Sequence, residues 1–117
     1  MSYMLLIVEP LDQRAARSEE EGRAVYARMV AFAEDLESRG LLLGTESLSS
    51  HASATRVQVR EGKARVLDGP FAEAKEMIGG FFLLSCQTRE EAVAIAAQCP
   101  AAEWCTVEVR SLAPCYQ

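Results

Sequence analysis

One histidine, one tryptophan and no paired-cysteine motif set the first limits on what this 117-residue chain can do. Tetrahedral metal sites are built from Cys and His at short, regular spacings. Here Cys86, Cys99, Cys105 and Cys115 lie too far apart for a CxxC metal or redox motif, and His51 alone cannot complete a set, so neither a metal nor another cofactor is expected. The cysteines read as buried thiols of a cytoplasmic protein in a reducing compartment, with Cys115 near the tail the most exposed and oxidisable. Cationic excess is lacking as well, with 12 Lys and Arg against 17 Asp and Glu and a net charge of −5. Phosphate binding needs a basic face. Nucleic acid is therefore excluded as a main partner, and an anionic membrane surface by the same argument. No apolar run approaches the roughly 20 residues of a membrane span, and no basic leader or cleavage site precedes the apolar segment that starts at Tyr3. A Ser, His and Asp grouping and a Gly-rich phosphate loop are also missing, which leaves carboxylates as the groups for any acid and base chemistry.

What is present is a hydrophobic content of 50%, enough for one packed core in one domain. Tyr3 to Val8 is apolar at both parities and predicts a central strand covered on both faces. Leu11 to Arg17 is polar enough to read as a surface loop. Ser18 and Glu21 form a capping box, with Glu19 and Glu20 adding favourable charge, and open a helix that runs to about Ser38. Val25, Met29, Phe32 and Leu36 make its apolar stripe. Gly40 stops it, and Leu41 to Leu48 reads as extended. Thr55 to Arg60 alternates apolar and polar, Glu61-Gly62 turns the chain, and Lys63 to Leu67 returns, which predicts a hairpin. Ile78 to Cys86 is a second strand apolar at both parities. Thr88 and Glu91 form another capping box for a helix with a small-residue face, Ala92, Ile95, Ala96 and Cys99, ended by Pro100. Trp104 to Arg110 is the last strand, with Cys105, Val107 and Val109 inward.

The order is βαββαβ with a hairpin inserted in its middle, an α+β plan in which two helices cover one face of an antiparallel sheet. The second face of the two central strands is apolar too, and no further element is left to bury it. A second copy of the chain is the simplest cover, so a homodimer is expected.

The least generic stretch runs from Val66 to Phe82. Asp68 can accept hydrogen bonds from backbone N–H groups just ahead of it, Gly69 permits positive φ and Pro70 fixes its own φ, so the chain turns a rigid corner. Glu73, Lys75 and Glu76 follow in a single turn, and Gly79-Gly80 allows a backbone, a side chain or a ligand to come close. Asp68 either caps this turn or contacts a ligand. Glu73, Lys75 and Glu76 are either a solvated charged turn or a cluster in which Lys75 neutralises an anion while the carboxylates Asp68, Glu73 and Glu76 act as acid and base. Arg56 and Phe71 are the remaining candidate ligand contacts, and His51 reads as an exposed loop residue.

The run Asp68-Gly69-Pro70-Phe71-Ala72-Glu73-Ala74-Lys75-Glu76, with Gly79-Gly80-Phe81 after it, resembles the signature of the DGPF branch of the YCII-related proteins. Met4 to Ile7, Gly40 to Leu48 and Ser85 to Val109 resemble the same family, so the likeness covers nearly the whole chain. It implies a ferredoxin-like fold that dimerises sheet to sheet as an α+β barrel, no established reaction, and in many bacteria an association with an extracytoplasmic-function sigma factor. The YciI-like branch is proposed to use a His on the first helix and an Asp before a Pro at the end of the second. The corresponding positions here look like Met29 and Cys99, so that dyad is not carried over. Two functions of different class follow: a small enzyme with its site at the Asp68 corner between subunits, acting on an unknown small molecule, or a non-catalytic ligand-binding or regulatory module.

Overall fold

The computed structural model describes residues 2–117. Its elements are β1 (Tyr3–Pro10), α1 (Glu19–Ser38), β2 (Leu42–Ser47), β3 (Thr55–Arg60), β4 (Lys63–Asp68), β5 (Glu76–Leu84), α2 (Arg89–Gln98) and β6 (Thr106–Ser111), with 3₁₀ turns at His51–Ser53 and Pro100–Glu103. Four strands form one sheet in the order β2-β5-β1-β6, every pair antiparallel, while β3 and β4 form a separate two-stranded sheet. β1 and β2 are thus parallel with β5 between them, and β5 and β6 are parallel with β1 between them. This arrangement is α+β and compatible with a ferredoxin-like fold.

The alternation in β1 decides which side is the core. Tyr3, Leu5, Ile7 and Glu9 are buried, whereas Met4, Leu6 and Val8 are only partly covered. Phe82 and Leu84 of β5 join the buried set, with Phe32 and Leu36 of α1 and Ala92, Ile95 and Ala96 of α2, so both helices lie on one face. Leu5, Leu36 and Leu84 are fully buried, each contributing about 1.5–3 kcal/mol relative to exposure. Phe32 meets Phe82 edge to face with ring centroids 5.2 Å apart, a favoured aromatic geometry. The opposite face carries Met4, Leu6, Val8, Phe81 and Leu83 in the middle, with Ile78 48% exposed. Thr106, Glu108 and Arg110 pair with Val8, Leu6 and Met4 and border it. The molecule is only 18 Å thick along its shortest axis, room for one layer of helices about 10 Å across on one sheet.

The ends of the elements follow their caps. Ser18 and Glu21 make the full capping box. Thr88 makes only half of one: its hydroxyl accepts from the Glu91 N–H, but the Glu91 carboxylate meets the Thr88 hydroxyl and not the backbone. Glu61 and Gly62 both have positive φ, 53° and 76°, the two-residue turn that matches the twist of paired strands. Valines on one face of this hairpin, Val57, Val59 and Val66, are 61–64% exposed. Three strands, β1, β5 and β6, shift by two residues from the expected bounds. β5 begins at Glu76 because Pro10 and Glu9 extend β1 and pair with Glu76 and Met77. β6 begins at Thr106 because Trp104 and Cys105 close the preceding turn, donating to the Ala101 carbonyl.

Candidate functional site

Glu9 follows Tyr3, Leu5 and Ile7 on the helix-covered parity of β1 and is only 7% exposed. A carboxylate there is costly unless a cation and hydrogen bonds accompany it. Arg14 supplies both: its Nε lies 2.6 Å from Oε1 of Glu9 and its second nitrogen 3.2 Å from Oε2. The same guanidinium donates to the Leu48 carbonyl at 2.7 Å and the Gly79 carbonyl at 3.2 Å. Leu11 N–H and the Gln13 amide add bonds to the carbonyls of Lys75 and Trp104. Residues 11–17 are therefore a strap tied across the ends of β1, β2 and β5, not a free surface loop.

The two glycines of β5 make this possible. Ile7 pairs with Gly80 and Val8 with Ile78, so Gly79 is an extra residue, a bulge that breaks the ladder. A β-carbon at Gly79 would run into the Glu9 carboxylate and the Arg14 guanidinium, and one at Gly80 would stand 2.8 Å from the Glu46 carbonyl oxygen. The close approach expected at Gly79-Gly80 is thus made by the ion pair and by the β2 backbone.

Beside the ion pair a cavity of about 500 Å³ opens between α1 and the sheet. Val25, Met29, Val30 and Ala33 form its helical wall, Ile7 and Phe82 its floor, and Glu9, Arg14, Arg17 and Trp104 one end. The sequence stripe on α1 divides here: Phe32 and Leu36 are core, while Val25 and Met29 are half-buried and line the cavity. Two guanidiniums flank the Trp104 ring, Arg28 at 5.3 Å and Arg17 at 5.8 Å. Arg28 is also bonded to Glu103 at 2.6 Å. That contact holds the Glu103 carboxyl below its usual range and the guanidinium above its own. Arg17 has no carboxylate within ion-pairing distance among the described residues. Cys105, next to this end, has its thiol pushed up to about 11 by burial and then by the charge of Glu9.

The Asp68 corner is built differently from its sequence reading. Asp68 ends β4 and accepts from the Thr55 hydroxyl across the hairpin at 2.8 Å, instead of capping its own turn. Gly69 has no positive φ. Its hydrogen faces the His51 carbonyl, where a β-carbon would collide, and its N–H donates to the Ala54 carbonyl at 2.7 Å. Phe71 is buried, with its N–H donating to Nδ1 of His51 at 3.3 Å. The Arg56 guanidinium lies 3.8 Å above the Phe71 ring, a cation–π contact. His51 is consequently half-buried and bonded, not an exposed loop side chain.

A second concavity, about 510 Å³, collects Arg56, Phe71 and Glu76 with His51, Met77, Val8 and Ile78, and opens on the bare sheet face. Asp68, Glu73 and Lys75 are exposed and line neither cavity. Three of the six candidate contacts are thus brought together and three fan outward. Glu9, Arg14 and Arg17 were missed by sequence reasoning. The signal for Glu9 was available: it continues the odd-numbered buried set Tyr3, Leu5, Ile7 by one more period of two.

Residues 1–115 match the family described as YCII-related domain. The Uncharacterized protein R00369 of Rhizobium meliloti (strain 1021) is 32% identical over 93 residues, covering 80% of this chain and 75% of the relative. Among the described residues, no helix is long and apolar enough to cross a membrane.

Proposed function

Because this chain belongs to the YCII-related family, whose relative named above carries no assigned reaction, we propose a function from the site itself: a binding domain for a small organic molecule held between α1 and the sheet. The observation that carries this reading is the cavity of about 500 Å³, apolar along α1 and charged at one end. Pockets of this size and composition, with a few convergent polar groups, are what small-molecule sites are made of. Binding without catalysis is favoured by the state of Glu9. It is the buried carboxylate at this cavity, and Arg14 engages both of its oxygens, so its charge is committed to holding residues 11–17 in place and not to a ligand proton.

The domain works as a homodimer closed sheet to sheet, an α+β barrel in which the β3-β4 hairpin is an insertion into the βαββαβ plan. Support comes from the bare apolar face of Met4, Leu6, Val8, Phe81 and Leu83 beneath a single helical layer. In such a dimer the concavity at Arg56, Phe71 and Glu76 lies at the rim of the interface, since Val8 and Ile78 are shared between that concavity and the bare face.

The test is a thermal-shift screen of small carboxylates, amines and neutral aromatics, read together with the emission of Trp104, the one tryptophan. A compound that binds in the cavity raises the melting temperature, alters the emission, and loses both effects in Met29→Phe, which fills the helical wall. A compound whose effect survives Met29→Phe but disappears in Arg56→Met and Glu76→Gln would move the site to the Asp68 corner. Light scattering should give twice 12.8 kDa for the protein, and the monomer mass for Leu6→Arg. The monomer mass for the unaltered protein would overturn the dimer.

A further inference from the structure

We infer that the cavity beneath α1 selects an organic anion with an apolar body, and that Arg17 is the residue that binds its negative group. This rests on the reading of the cavity as the binding site and goes beyond it by naming the charge of the ligand. The inference starts from which cations near the cavity are already compensated. Arg14 has both Glu9 oxygens and two backbone carbonyls as partners. Arg28 has the Glu103 carboxylate. Arg17 lines the same end and lies over the Trp104 ring, with no carboxylate within ion-pairing distance among the described residues.

The acids nearest to Arg17 in sequence do not supply one. Glu19 is bonded to Arg23 at 2.6 Å. Glu21 closes the capping box on the Ser18 N–H at 2.9 Å; the Arg17 charge reaches its carboxyl, but from beyond ion-pairing distance. Glu20 is exposed on the first turn of α1 and makes no ion pair among the described residues. Glu46 is the other carboxylate bordering the cavity, but it pairs with Phe81 and so its side chain belongs to the parity of the bare face, while its backbone carbonyl lies over Gly80.

Arg17 is also held ready. A guanidinium lying against an indole loses less freedom on binding than a free arginine, and its planar fork suits a carboxylate or a phosphate. The field of the whole molecule opposes an anion, since the net charge is −5. Selection must therefore come from the contact itself and not from long-range attraction, so affinity should depend only weakly on salt. The walls at Val25, Met29 and Phe82 take the apolar body.

Three isosteric probes decide the matter: 3-phenylpropanoate, its amide and the corresponding propylamine, titrated against the full chain by calorimetry and Trp104 emission. The carboxylate should bind about tenfold more tightly than the amide, the size of one charge-assisted contact, and the amine more weakly than either. Arg17→Met should remove the carboxylate's advantage, weakening the carboxylate more than the amide, whose carbonyl oxygen makes only a neutral hydrogen bond with the guanidinium. Arg17→Lys should retain part of it, and Arg39→Met, a distant surface cation, all of it. Equal binding of carboxylate and amide, abolished for both by Met29→Phe, would overturn the anion inference while leaving the cavity reading intact. A carboxylate preference that survives Arg17→Met would overturn Arg17 as its source. If none of the three probes alters melting temperature or emission, both the inference and the cavity reading fall.

Discussion

The Glu9 carboxylate occupies the place where a β-carbon on Gly79 would stand. One bulge in β5 therefore makes room for the ion pair that anchors residues 11–17. Gly79→Ala should cost about 2–4 kcal/mol, because the added methyl displaces a buried charge from its partner. Arg14→Met should cost about 3 kcal/mol by leaving Glu9 uncompensated, and the double variant Glu9→Gln/Arg14→Met should recover most of that loss. Urea denaturation at neutral pH measures all three. A loss within about 0.5 kcal/mol for Arg14→Met would show that the pair behaves as a surface pair.

Acid should weaken the start of α1. The Ser18 N–H and hydroxyl hold the Glu21 carboxyl below its ordinary value of 4.5. A carboxyl whose pKa is lower folded than unfolded contributes stability above the unfolded pKa and loses it as pH falls through the folded one. The stability advantage of the unaltered protein over Glu21→Gln should accordingly be full near neutrality and vanish in strong acid. Denaturation curves for both proteins across that range test the sign; an advantage that grew on acidification would contradict it.

At the Asp68 corner, stability should reside in the ring and not in the charges. Phe71→Ala should cost about 3 kcal/mol, since the side chain is buried under Arg56. Glu73→Gln and Lys75→Met should each lie within about 0.5 kcal/mol of neutral, and Asp68→Asn should cost about 0.5–1 kcal/mol through its bond to Thr55. Thermal melts of the four variants give the ranking.

The thiols should react in the order of their exposure. Cys115 is exposed, Cys86 and Cys99 are buried with raised pKa values, and Cys105 is held near 11. At about pH 8 little of these three is thiolate. Alkylation followed by mass spectrometry should label Cys115 first and the others only after unfolding; early labelling of Cys105 would show that its environment is more open.

A continuous apolar run made β1 legible, and period-two alternation did the same for the hairpin and the inward side of β6, because each depends on neighbours in sequence. The two-residue turn was legible for the same reason, since Gly62 tolerates positive φ and Glu61 stands beside it. The strap at residues 11–17 was not. Its polarity is what a surface loop shows, and its partners are Leu48, Lys75, Gly79 and Trp104, far along the chain. Asp68 failed as a local reading because Thr55, across the hairpin, takes the place of the turn's own N–H groups. Gly69 was identified as special for the wrong cause: what it accommodates is the His51 carbonyl.

The strand order has a consequence for a chain cut in two. Trypsin would cleave first at the exposed hairpin tip, after Arg60 or Lys63. The N-terminal piece then holds β1 and β2, the C-terminal piece β5 and β6, and in the order β2-β5-β1-β6 no two strands of one piece are neighbours. Every ladder of the four-stranded sheet, β1 with β5, β1 with β6 and β2 with β5, joins one piece to the other. Neither fragment can build any part of that sheet alone. Mixed, they should reassemble only as two chains whose association is the folding reaction itself, with a midpoint that rises with concentration.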